Sequence, residues 1–153
     1  DIAPADDPRA RRMELDHIEG LSSGAGPNFY AWRRDGSMQY FTVGTRYPVE
    51  VSEFGAMRGV TEVVSANEFD CARTRDGTVT CWGQGDDGPR SWLRPTVRAL
   101  VRGLTDATDL AAGYDFVCAL RRGGTVACWG DNHQGQLGDG RAVMRDTPAV
   151  VME

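Results

Sequence analysis

Hydrophobic and polar positions follow one another in short runs along this chain, at the spacing of strands and not of helices. In "DFVCALRRGGTVACWG", residues 115–130, a period of two puts Phe116, Cys118 and Leu120 on one face with Val126 and Cys128. Val117, Ala119, Ala127 and Trp129 take the other face. The two runs flank Arg122 to Gly124, and a three-residue loop ending in glycine is a favoured hairpin connection, because glycine accepts the positive φ that its bulge requires. Thr, Val and Trp after the turn suit a strand. Both faces of this hairpin are apolar, so it is expected to be covered on both sides.

The same phrase is written twice. "CARTRDGTVTCWG" at Cys71 to Gly83 returns as "CALRRGGTVACWG" at Cys118 to Gly130. Gly77 and Gly124 stand 47 positions apart, and a weaker copy in "RRDGSM" puts Gly36 41 positions before Gly77. Each copy is followed by an X-Pro-x-Val element, at Pro48, Pro95 and Pro148. Each is preceded by a Gly-apolar turn and a strand of small residues, beginning near Gly20, Gly59 and Gly103. Such self-similarity marks a repeat architecture in which each unit buries its faces against its neighbours. Hairpins are expected near 28–44, 69–83 and 116–130, within one repeat domain over 13–153. Sheets stacked face to face cover both sides of each hairpin, and propeller blades are the common form of that stack.

"CALRRGGTVACWGDNHQGQLGDG", Cys118 to Gly140, resembles a repeat of the regulator of chromosome condensation family. The Gly-x-Asn-x-x-Gly-Gln-Leu-Gly-x-Gly element is matched at Gly130, Asn132, Gly135, Gln136, Leu137, Gly138 and Gly140. In the second copy it decays to "GQGDDGPRSW", and in the first it is nearly gone. The resemblance runs over residues 18–153 and implies a β-propeller, a fold usually of seven blades. The expected fold is therefore all-β: a partial propeller of about three four-stranded blades, completed by oligomerisation or by further parts of a longer chain. A third closure would bring "MELDHI" and "PAVVM" together within one chain. The family's nucleotide-exchange surface finds no matching motif, so the resemblance carries fold, and function only by analogy.

The four cysteines fall ten positions apart within each hairpin, directly opposed across the turn. Opposed residues on antiparallel strands bring Cβ atoms near the separation a disulfide needs, so Cys71–Cys81 and Cys118–Cys128 are the expected bonds. Other pairings among four cysteines remain open at this point. Two such bonds imply a secreted, periplasmic or cell-surface location. Tyr30 and Tyr40 occupy the equivalent positions of the first copy, which favours a structural staple over a redox pair. Zinc is disfavoured: no Cys-x-x-Cys is present, and neither His17 nor His133 lies beside a cysteine pair.

Composition narrows the remaining readings. The net charge of −5 over 153 residues, with no basic run longer than two, argues against a broad grip on nucleic acid. No stretch reaches the ~18 apolar residues of a membrane span. Residues 1–12, "DIAPADDPRARR", read as a flexible leader segment, and the Ala-, Arg-, Asp- and Gly-rich wording is that of a GC-rich bacterial genome. Asp131, Asn132 and Asp139 miss the spacing of a calcium loop and read as turn formers. No phosphate loop, nucleophile elbow, metalloprotease motif or dinucleotide fingerprint occurs.

The expected function is a non-enzymatic, extracytoplasmic protein-interaction module, without cofactor or metal. It would bind a protein partner through the loops that do not repeat, and it could self-associate to close a ring. Those loops, Gln84 to Arg94 and Asp131 to Asp146, nominate Arg90, Trp92, Arg94, His133, Arg141 and Arg145 as contacts, since exposed aromatics and arginines are frequent anchors. Rival readings are a regulator of a small GTPase or of chromatin, and a propeller-type enzyme inhibitor.

Overall fold

The computed structural model describes residues 16–24, 28–42, 50–83 and 98–151, and all their regular structure is β-strand. The first blade comprises β1 (Ile18–Ser23), β2 (Asn28–Arg33), β3 (Ser37–Thr42) and β4 (Glu50–Ala56). The second comprises β5 (Val60–Ser65), β6 (Phe69–Thr74), β7 (Val79–Gly83) and the short β8 (Ala99–Leu100). The third comprises β9 (Ala107–Ala112), β10 (Phe116–Arg121), β11 (Val126–Gly130) and β12 (Arg145–Val150). Within each blade the strands pair antiparallel in chain order. The first strands of successive blades lie side by side, which places the small-residue strands innermost. The expected leader over residues 1–12 lies outside the described residues.

The hairpin register is the same in all three blades. Tyr30 opposes Tyr40, Cys71 opposes Cys81, and Cys118 opposes Cys128. The cysteines are bonded, at 2.08 Å for Cys71–Cys81 and 2.09 Å for Cys118–Cys128. In the first blade the tyrosine rings pack against each other instead, with centroids 4.9 Å apart. Each turn is closed by a glycine: Gly77 at φ 89° donates its N–H to the Thr74 carbonyl at 2.9 Å.

The blades stack with a direction. The tyrosine-pair face of the first blade, with Trp32 and Met38, packs on Val60, Val63, Ala72 and Trp82 of the second. The second blade turns its opposite face, with Phe69, Val79 and the Cys71–Cys81 bond, onto Leu110, Val117, Ala119 and Trp129 of the third. The pair-bearing face of one blade thus always meets the Ala/Trp-bearing face of the next. The turn glycines record the same order. A Cβ on Gly36 would stand 2.7 Å from the Arg58 backbone, and one on Gly77 3.0 Å from that of Asp106, whereas one on Gly124 would meet nothing within 4 Å.

The third blade corrects the expectation that each hairpin is covered on both sides. Its Ala/Trp face is buried, but Leu120 and Val126, on the face of the Cys118–Cys128 bond, are 41% and 37% exposed. In the first blade Leu21 is 61% exposed, while its equivalents Val63 and Leu110 are buried, although Ala31 and Phe41 on the same face as Leu21 are buried. Gly20 also departs from the pattern of a turn. It lies inside β1 with the Trp32 ring over it, so close that a Cβ there would fall 2.2 Å from the indole.

Equivalent valines read out this asymmetry. Val79→Ala, in a fully buried contact between blades, is expected to lower unfolding free energy by about 2 kcal/mol, and Val126→Ala by under about 0.5 kcal/mol. Urea unfolding of the two variants side by side checks this.

Candidate functional site

Antiparallel strands put the β9–β10 turn and the long β11–β12 connection at one end of the third blade. Backbone contact joins them, since Asp131 donates its N–H to the Asp115 carbonyl at 2.7 Å. The connection begins at Gly130, whose φ of 112° lets the chain leave β11 close against Asp115 and Phe116. Asn132 then turns inward and is fully buried. Its amide N–H groups donate to Asp139 Oδ1 at 3.0 Å and to the Arg141 carbonyl at 2.9 Å, while its Oδ1 accepts the Leu137 N–H at 3.0 Å. Every bond a buried amide needs is accounted for, and Leu137 is pulled into the core beside it.

Charged side chains in this loop are largely committed to holding it. Asp139 accepts from the Arg141 N–H at 3.1 Å and receives the Arg145 guanidinium through Nε at 2.7 Å and Nη2 at 2.6 Å. The Arg145 hydrogen bond, with those from Asn132 and the Arg141 backbone, holds the Asp139 carboxyl below its ordinary value. Asp131 accepts from the His133 ring at Nδ1 and from Gln136 Nε2 at 3.0 Å, and the His133 bond is the chief cause of its lowered pKa. Asn132, Gly135, Gln136, Leu137 and Gly138 thus each have a structural task in the loop.

Of the expected contacts, Arg145 is spent on Asp139, whereas His133 and Arg141 remain exposed. Arg90, Trp92 and Arg94 lie outside the described residues, as does the whole Gln84–Arg94 loop. Two apolar side chains join the exposed set: Val143 is 64% exposed and Tyr114, on the neighbouring turn, 75%. Sequence reading passed over Tyr114, although an aromatic in the polar turn "GYD" was a visible signal. The surface therefore offers Tyr114, His133, Arg141 and Val143 on a braced frame. Among the described residues no three His, Cys, Asp or Glu side chains gather as a metal site would require.

A buried polar junction links the first two blades. The Tyr30 hydroxyl donates to Asp70 Oδ2 at 2.7 Å and accepts from Trp82 Nε1 at 3.2 Å. Burial first, and the Asp70 carboxylate second, push the Tyr30 phenol well above its ordinary pKa, so it remains a protonated donor. Asp70 stands where the third blade has Val117, a difference visible on comparing "FDCAR" with "FVCAL". At the next junction Cys71 replaces the tyrosine, and the Trp129 Nε1–H has no hydrogen-bond partner among the described residues.

The family model of the regulator of chromosome condensation (RCC1) repeat matches residues 107–136, which hold β9 to β11 and the start of the braced loop. Yeast (Saccharomyces cerevisiae) Prp20p superposes with a TM-score of 0.71 at 13% identity, over 90% of this chain and 39% of its own. This chain is a partial β-propeller with an RCC1-type repeat over residues 107–136. Human WBSCR16 aligns at a TM-score of 0.67 and 20% identity, over 89% of this chain and 40% of its own. Yeast RCC1 in its complex with Kap60 aligns at 0.63 and 15% identity, over 83% and 34%. This chain thus spans about 40% of the length of human WBSCR16. No curated protein matches the chain.

Asn132→Ala leaves the Leu137 N–H and Asp139 without their buried partner, and is expected to cost about 2 kcal/mol, with faster amide exchange confined to 131–144. Asp139 adds a pH dependence. Its lowered folded-state pKa contributes stability that is present above its ordinary value of 3.8 and lost as pH falls through the folded value. Amide protection at Arg141 is expected to fall over that acidic window in the wild type, and to be independent of pH there in Asp139→Asn.

Proposed function

We propose that this chain is a non-enzymatic protein-interaction module of an extracytoplasmic compartment, folded as one repeat domain over 13–153. The observation that carries the reading is the braced loop beside Tyr114. Its charged groups are consumed in fixing the backbone, and an aromatic, an arginine, an imidazole and a valine are left presented to solvent. Rigid presentation of such groups lowers the ordering cost of binding. The relatives agree in kind: Prp20p was described with its binding to Gsp1p and histones, and yeast RCC1 bound to Kap60, all of them protein partners.

The two cysteine bonds support the compartment, since hairpin disulfides persist where glutathione does not reduce them. No helix among the described residues is long and apolar enough to cross a membrane. The open face of the third blade supports self-association: the Cys118–Cys128 face carries the same chemistry as the pair-bearing side of the internal junctions, so a further Ala/Trp-type face can dock there.

Protein purified from its native compartment is expected to show no free thiol by alkylation and mass spectrometry until reduced, and four afterwards. Free thiols in the native protein would favour a cytosolic regulator of a GTPase or of chromatin instead. In sedimentation equilibrium the chain is expected to form a dimer that Leu120→Asp dissociates. A monomer unaffected by that change would assign closure to additional blades. For the partner surface, Tyr114→Ala with Arg141→Ala should weaken capture of the physiological partner by at least about tenfold without altering the unfolding midpoint.

A further inference from the structure

All seventeen cationic residues of this acidic chain are arginines, and they are unevenly placed. The β2–β3, β6–β7 and β10–β11 turns and the connections entering the second and third blades all lie at the end of the sheets opposite the Asn132 loop. They form one continuous seam. Met57 donates its N–H to the Gly36 carbonyl, Arg75 to that of Gly59, Ala107 to that of Gly77 and Arg122 to that of Asp106. Five arginines stand exposed along it: Arg34, Arg58, Arg75, Arg102 and Arg122.

The carboxylates of the seam are occupied. Asp35 accepts the Ser37 N–H at 2.8 Å, and Asp76 accepts the Thr78 N–H at 3.1 Å and the Thr74 hydroxyl at 2.6 Å. Asp106 is paired with Arg121 at 2.8 Å. Glu19 lies between Arg34 and Arg75, at 3.6 and 3.7 Å, and cannot neutralise both. Arg58, Arg102 and Arg122 make no ion pair among the described residues. The turn carboxylates spend their acceptor capacity on backbone and hydroxyl groups, while the guanidinium forks keep their donors for something outside the chain.

We propose that this arginine seam is a second interaction surface, and that its partner is an acidic polypeptide segment rich in Asp and Glu. An acidic polypeptide suits the seam better than nucleic acid. The arginines sit on separate turns with Asp35, Asp76 and Glu19 fixed between them, so a continuous phosphate backbone would meet charges of both signs. Individual carboxylates can instead reach each guanidinium as a bidentate pair. The surface is independent of the Tyr114 loop, which lies at the other end of the strands.

Fluorescence anisotropy of a labelled oligoglutamate peptide tests this on the whole chain. Binding is expected at low ionic strength and should weaken as salt rises. Arg58→Glu, Arg102→Glu and Arg122→Glu together should weaken it by about tenfold or more. These side chains hold no ion pair among the described residues, so the unfolding midpoint should stay unchanged and confirm that the variant is folded. His133→Glu with Arg141→Glu, at the other end, should leave the peptide affinity unaltered. The proposal is overturned if the wild type fails to bind the peptide, if the triple variant binds it as well as the wild type does, or if a DNA duplex of equal charge binds more tightly.

Discussion

Each blade is held by what its central cross-strand pair presses against. The Cys71–Cys81 bond and the Tyr30–Tyr40 pair sit at the middle of their hairpins and are covered by the Ala/Trp face of the following blade. A four-stranded blade with two apolar faces cannot satisfy them alone, so stability here belongs to junctions more than to single blades. The two junctions solve the same problem with different chemistry. The tyrosine fills more space and its hydroxyl can serve Asp70 and Trp82, whereas the disulfide constrains the unfolded chain, by about 2–3 kcal/mol for so short a loop. Replacing tyrosine by cysteine gives up a partner for the Trp129 indole, which stays buried without one among the described residues.

Because the pair face always meets the Ala/Trp face, the stack has two unlike ends. Val126 at the last blade is exposed for want of a neighbour, as its buried counterpart Val79 shows, and Leu120 is exposed beside it. This asymmetry decides what can cover them. A face-to-face twofold pairing of the third blade with itself would set one disulfide face against another, a contact neither internal junction contains. A head-to-tail contact reproduces a packing already present twice in the chain.

The repeat spacing made the hairpins, their registers and the cysteine pairs legible, because a period of two with glycine at the turn leaves little freedom in how strands can oppose. The stacking of blades followed from the apolar faces. Two things did not follow. That one face of the last blade is open depends on how many neighbours exist, which a local pattern such as "FVCALRRGGTVACW" does not encode. The fate of the loop charges was equally hidden: Arg145 and Arg141 read alike in sequence, and only the inward turn of Asn132 brings Asp139 to the first and leaves the second in solvent. Asp70 and Tyr114 were legible in principle, as departures from the repeat.

Arg122 and Arg145 show how one residue type takes opposite roles in the same blade. Arg145 enters β12 beside Asp139, which other bonds already fix in place, so pairing costs little further order and the charge is used up within the loop. Arg122 sits in a turn whose backbone is fixed by Gly124 and by its own N–H bond to Asp106, and no carboxylate among the described residues pairs with its guanidinium. The repeat holds the position of Arg122 without using its charge. The same holds for Arg58 and Arg102, each in a connection ordered by neighbouring backbone. Placing cations on turns that already have their hydrogen bonds leaves those cations free to vary without loss of fold. Three without an ion pair among the described residues, along one seam in a chain of net charge −5, therefore reflect a demand from outside the chain more than one from within it.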